Sequence, residues 1–166
     1  PGLCVSLKHN SKFASFAILS KGDFPFELNI KLPFALVSND IANDKLIVMP
    51  GYWFMYNMYA LSRNTWKYED RDRRTEKIQK IEYDYLAPDT INEMFIAIDL
   101  LSKLKPDAQG HFYITGFENS ERKTEVIRVP EAIALFTEMI IYYGISQILD
   151  RIMQSKFSSF EDLKKT

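Results

Sequence analysis

The residues here that could do chemistry fall in two places. His9 sits in Leu7-Lys8-His9-Asn10-Ser11-Lys12, flanked by two cations and an amide. An imidazole whose ordinary pKa lies near neutrality can take a proton from a sugar hydroxyl or an amine, so His9 is a candidate general base, with Lys8, Asn10 and Lys12 as candidate ligand contacts. The plainer reading is a turn histidine making one hydrogen bond. The second place is Glu69-Asp70-Arg71-Asp72-Arg73-Arg74. Three guanidinium groups can form a planar, bidentate fork for a phosphate or carboxylate. Each arginine also has an acid one or two positions away, so an internally neutralised ion-pair network is equally consistent with the spacing. Tyr83 and Asp84 lie just beyond and can orient a hydroxyl-rich ligand, or tie the arginines down. No Ser-His-Asp set stands in the chain, and two histidines with one cysteine make no persuasive metal site. No metal is expected.

Composition bounds the rest. The chain has 166 residues, 46% of them hydrophobic, which suits a filled core in one domain or one domain and a piece of another. A net charge of −1 provides no general field for nucleic acid. The single Cys4 precludes an internal disulfide and points to a reducing, cytoplasmic setting. No uninterrupted apolar run approaches the roughly 18 residues of a membrane span, so no membrane partner is expected. Both ends read as internal to a longer protein. The chain opens without methionine or leader at Pro1, and Ser158-Ser159-Phe160-Glu161 has the spacing of a helix start close to its last residue, Thr166.

Those side chains need elements to hold them. From Pro1 to about Val48 the signals are strand-like, with Gly22, Pro25 and Pro33 as punctuation. A six-residue rhythm fits the start: Leu7, Phe13 and Leu19 take the inward position of a triangular coil, while Ser11, Ala14 and Ala17 take positions where corners admit little bulk. Beyond Gly22 the rhythm fails, and Phe24 to Val37 reads as one half-buried strand alternating through Glu27, Asn29 and Lys31. Asn39-Asp40 and Asn43-Asp44 mark turns before a short strand, Lys45 to Met49.

From Pro50 the period becomes helical. Trp53, Phe54, Met58 and Leu61, widened by Tyr52, Tyr56 and Tyr59, predict a helix to Asn64 that is covered on most sides. Ile78, Ile81 and Tyr85 predict the inner face of a helix from about Thr75 to Tyr85. Thr90 and Glu93 have capping-box spacing ahead of a helix lined by Ile91, Met94, Phe95, Ile98 and Leu101 that stops before Pro106. A hairpin is expected at about 110–129. Pro130 then opens a long amphipathic helix lined by Ala132, Leu135, Phe136, Met139, Ile140, Tyr143, Ile148, Leu149 and Ile152, with Gly144 inviting a close neighbour. His111 has no partner in view and reads as structural.

Three segments carry a family resemblance: PGLCVSLKHNSKFAS, MPGYWFMYNMYALSRNTWKYEDRDRRTEKIQ and EYDYLAPDTINEMF. They resemble the C-terminal half of an uncharacterised family of large bacterial proteins similar to hexapeptide-repeat sugar acyltransferases. The resemblance implies that Pro1 to about Gly22 are the last coils of a left-handed β-helix. It also implies an acyl-CoA co-substrate, a sugar or nucleotide-sugar ligand, and His9 as the base. The expected fold is therefore α+β: a β-helix terminus with exit strands over 1–49, then a mainly helical domain with a hairpin over 50–166. Two functions follow, part of an acyltransferase with this piece shaping one wall of the site, or a non-catalytic capping and oligomerisation module. A homo-oligomer suits either. If His9 and the arginines share one solvated cleft the first gains, and if the arginines are locked to acids the second does.

Overall fold

A computed structural model describes residues 4–79 and 81–154, and these form a mixed α+β structure. The opening residues make short strands that return on themselves. Val5–Leu7 (β1) pairs in parallel with Gly22–Phe24 (β4), Lys12–Phe13 (β2) with Asn29–Ile30 (β5), and Ile18–Leu19 (β3) with Leu36–Asp40 (β6). The partners are 17 residues apart in the first two ladders and 18 in the third. Consequently Leu7 stands over Phe24, Phe13 over Ile30, and Leu19 over Val37. The lower three are buried, and Leu7 and Phe13 pack against the same core. The expected loss of rhythm after Gly22 is thus corrected. Phe24 to Val37 is no single strand, because prolines cannot donate to a central ladder. Pro25 and Pro33 fall at bends between three short pieces, and Phe34 after the second adopts φ 54°.

From β6 the chain turns back through Asp40, whose carboxylate accepts the N–H and side-chain amide of Asn43. Lys45–Met49 (β7) runs antiparallel to β6, as its turn residues predict. The predicted hairpin is present: Phe112–Ile114 (β8) is antiparallel to Lys123–Val126 (β9), and β9 joins β7 in parallel. The order β3-β6-β7-β9-β8 makes one five-stranded sheet. The β8–β9 loop reaches back to the outer edge of β5, where Asn29 N–H donates to Phe117 O and Asn119 N–H to Glu27 O, both at 2.9 Å. Arg122 fixes that loop through Glu118, with Nε to Oε2 at 2.5 Å, in a nearly buried pair (side-chain exposure 9% and 1%), and also donates to Asn39 Oδ1 at 2.8 Å.

The helices differ from expectation in three ways. First, the aromatic run breaks at Asn57 (φ −148°, ψ 32°) into Tyr52–Tyr56 (α1) and Met58–Arg71 (α2). Phe54 and Leu61 are buried, whereas Tyr56, Met58, Tyr59 and Trp66 face solvent, so this belt is covered on one side only. Second, no helix spans 75–85. Asp72, extended at ψ 94°, ends α2, and Ile78 and Ile81 are exposed. A short isolated turn pays nucleation without a surface to bury against, and three apolar residues do not supply one. Third, Pro88–Ser102 (α3) starts two residues before the expected cap. Thr90 lies in its first turn and accepts the Ala87 N–H at 2.9 Å, while Glu93 accepts the Ser15 N–H at 2.8 Å.

Val129–Gln154 (α4) packs its first half on α3 and the core through Ala132, Phe136 and Met139. Its second half exposes Ile141, Tyr142, Ile145, Ile148, Leu149 and Met153, and no atom comes within 4 Å of a side chain at Gly144. By length and composition α4 could cross a membrane, its best 18-residue window having mean hydropathy 1.5 with 17% of it buried. A count of uninterrupted apolar residues missed this. Phe95, expected inside, is also exposed. The hexad beginning at Pro1 and the helix start at Ser158 lie outside the described residues.

Candidate functional site

His9 occupies the turn between β1 and β2, closed by Ser11 N–H donating to Lys8 O. Lys8, His9 and Asn10 are exposed, and His9 makes no hydrogen bond among the described residues. Asn10 donates to Glu27 Oε2 at 3.3 Å, and Ser11 Oγ accepts the Leu28 N–H at 3.0 Å. This ties the turn to the next round of the coil, 17 residues on. Asn10 and Lys12 line a cavity of about 280 Å³ with Glu27, Asn29, Glu118 and Asn119. Its lining of amides, carboxylates and one ammonium suits a hydroxyl-bearing ligand. His9 is not part of that lining.

The arginines lie elsewhere. An open cleft of about 860 Å³ at the end of α2 is lined by Asn64, Lys67, Tyr68, Arg71, Asp72, Arg73, Arg74 and Ile81. It forms because α2 runs to Arg71 and the chain then leaves in an extended path that folds back to bring Ile81 opposite. Arg74 is locked. Its Nε and Nη2 donate to the two Asp72 oxygens at 2.8 Å, Nη2 also reaches Tyr68 Oη at 3.1 Å, and Nη1 reaches Gln79 O at 3.2 Å. These bonds hold the Asp72 carboxyl well below the usual carboxylate range and raise the guanidinium. Lys77 adds a second cation 3.4 Å from Asp72.

Arg71 and Arg73 make no ion pair among the described residues, nor does Lys67. Both arginines are exposed. The two readings of the arginine block therefore divide between residues: Arg74 belongs to the network, and Arg71 with Arg73 forms the open fork. His9 is not in their cleft. Tyr83 and Asp84, expected as ligand contacts, do not line it either. The Tyr83 hydroxyl donates to Glu69 at 3.0 Å, which raises its pKa, and its ring stacks on Tyr68 at 4.5 Å. Burial, then Glu82 and Glu69, raise the Asp84 carboxyl.

Reading the sequence missed a third arrangement. Glu125 on β9 is buried, with one oxygen 2.6 Å from His111 Nδ1 and the other accepting Lys45 Nζ from β7. Burial pushes this carboxyl up, but the Lys45 and His111 bonds outweigh it and leave the group below its ordinary value. His111 thus has a partner after all, one supplied by strand pairing 14 residues away. The clue was a glutamate inside an apolar strand, Thr124-Glu125-Val126, which demands a cation on the neighbouring strand. No group of three or more His, Cys, Asp or Glu able to hold a metal ion occurs among the described residues.

No family model and no solved structure matches the chain. An uncharacterized protein of Treponema pallidum (strain Nichols) is similar, 34% identical over 177 aligned positions that cover 93% of this chain and 24% of that protein. The chain spans about a quarter of the length of that relative.

Proposed function

We propose that the opening strands are the final round of a left-handed β-helix, and that the remainder closes it within a larger hexapeptide-repeat, acyltransferase-like protein. The observation that carries this reading is the register: three parallel ladders whose partners stand 17, 17 and 18 residues apart. A three-sided coil built on six-residue faces has this repeat. The end of such a coil exposes unpaired backbone that must be covered. Here the 117–119 loop covers β5, and β7 covers β6. The α1 and α3 helices hold the corner at Ser15 and Phe16, where Trp53 Nε1 donates to Phe16 O at 2.7 Å and Glu93 accepts from Ser15. Arg74 locked to Asp72, with His9 outside that cleft, favours closure over catalysis for this piece.

The test uses the direction of amides. Lys12 and Ala14 donate to the second round, as do Ile18 and Ser20, so by strand alternation the N–H groups of Phe13 and Leu19 face the opposite edge. In the longer polypeptide a preceding coil would accept them. Hydrogen exchange at Phe13 and Leu19 is expected to slow at least a hundredfold relative to the 166-residue chain, and equal rates would remove the coil. For the whole protein, acyl transfer from acyl-CoA to a sugar or nucleotide sugar is the proposed activity. His9, beside the Asn10 and Lys12 cavity, is the base to test. Undiminished turnover by His9→Ala would take His9 out of the reaction.

A further inference from the structure

We propose that the cleft at the end of α2 is a binding site for an organic diphosphate, with Arg71 and Arg73 as the fork and Lys67 as the third cation. This does not rest on the coil reading. The first argument is charge. The one carboxylate lining the cleft, Asp72, is already matched by Arg74 at 2.8 Å and Lys77 at 3.4 Å. Of the nearest acids outside the lining, Glu69 accepts the Tyr83 hydroxyl, and Asp70 makes no ion pair among the described residues. Lys67, Arg71 and Arg73 are left as surplus positive charge on one concave surface.

The bland account of such a cluster is service to the helix end. Arg71 does stand in the last turn of α2, where a cation offsets carbonyl dipoles equivalent to roughly half an elementary charge. Three cations exceed that several-fold. Two guanidinium groups two positions apart offer parallel N–H pairs suited to phosphoryl oxygens, which an ammonium pair does not. Size is the second argument. A cleft of about 860 Å³ lies within the range of roughly 300 to 1,000 Å³ typical of small-molecule sites, far larger than one phosphate needs. Its remaining walls are the Tyr68 side chain, the Asn64 amide and the apolar Ile81. Tyr68 is fixed there by its stack on Tyr83 and by Arg74, so Arg74 and Asp72 act as positioning residues that rigidify the wall.

The test is calorimetric titration of the 166-residue chain with ADP, inorganic pyrophosphate and adenosine at low and physiological salt. ADP and pyrophosphate are expected to bind saturably below 1 mM, ADP more tightly, and adenosine not at all. Arg71→Gln with Arg73→Gln is expected to weaken both at least tenfold. Both side chains are exposed and unpaired, so circular dichroism of this variant is expected to match the parent. Arg63→Gln, an exposed α2 cation outside the cleft, is expected to change affinity less than twofold. Three results would overturn the proposal: no saturable binding of either anion, equal weakening by Arg63→Gln, or adenosine binding as well as ADP. Pyrophosphate binding without ADP binding would strike out the organic part.

Discussion

The rings of Phe16 and Phe34 stack face to face, 4.9 Å between centroids and 4° from parallel. Both residues adopt left-handed backbone, at φ 58° and 54°. They stand 18 residues apart, so the same corner is turned twice, one round upon the other. A left-handed conformation costs a residue with a side chain roughly 1–2 kcal/mol, and the stack helps to offset it. Phe34 is fully buried and also meets Phe54 at 4.5 Å, whereas Phe16 is 38% exposed. Phe34→Ala is therefore expected to cost about 3–5 kcal/mol, the usual range for a buried Phe to Ala change. Phe16→Ala is expected to cost less than half of that. Urea denaturation of the two variants measures the difference, and equal costs would show that the ring pair does not organise the corner.

Glu93 on α3 reaches across 78 residues to accept the Ser15 N–H at 2.8 Å. Without that acceptor a part-buried donor is left unmade, at about 1–3 kcal/mol. Glu93→Ala is expected to fall in this range and to speed exchange of the Ser15 amide selectively. Glu93→Gln retains an acceptor oxygen and is expected to lose little.

The Glu118–Arg122 pair anchors the loop that covers β5. Removing one member of a buried pair leaves the other uncompensated, at roughly 3–5 kcal/mol. Arg122→Ala is expected to lower the melting temperature sharply. The double variant Glu118→Leu/Arg122→Met is expected to recover much of the loss, and a double variant no better than the single would point to the hydrogen bond with Asn39 instead.

Acid should loosen the β7–β9 seam. The Glu125 pKa is depressed in the fold, so its contribution is fully present above the unfolded value, about 4.3, and disappears as pH falls through the folded one. Asp72 has the same sign. Between pH 5 and 3 the native protein is expected to lose stability more steeply than Glu125→Gln, which is weaker at pH 7 but flatter. Parallel pH profiles would mean the carboxylate is not coupled to folding.

The second half of α4 presents Ile145 and Leu149 to solvent, at 53% and 52% exposure. Changing both to Lys is expected to leave the melting temperature within a few degrees, because little buried area is lost. Any self-association through this strip is expected to fall in sedimentation. A large drop in melting temperature would mean that the strip is covered in the folded chain.

Local pattern alone determined a good part of this protein. Turn residues at Asp40 and Asn43 delivered the β6–β7 hairpin, the polar run from Glu118 to Lys123 delivered β8–β9, and helical spacing delivered α3 and α4, because each depends on neighbours close in the chain. The inward positions Leu7, Phe13 and Leu19 were legible from their six-residue spacing. The second round was not, because Phe24, Ile30 and Val37 show their meaning only when laid against the first. Tertiary structure also decided which cations are free. Asp72 faces Arg74 rather than Arg71 or Arg73 because the chain leaves α2 extended, and no spacing rule encodes that exit. Likewise the partner of His111 is a strand away. Sequence names the charged groups, but only packing sets the distances over which they neutralise one another.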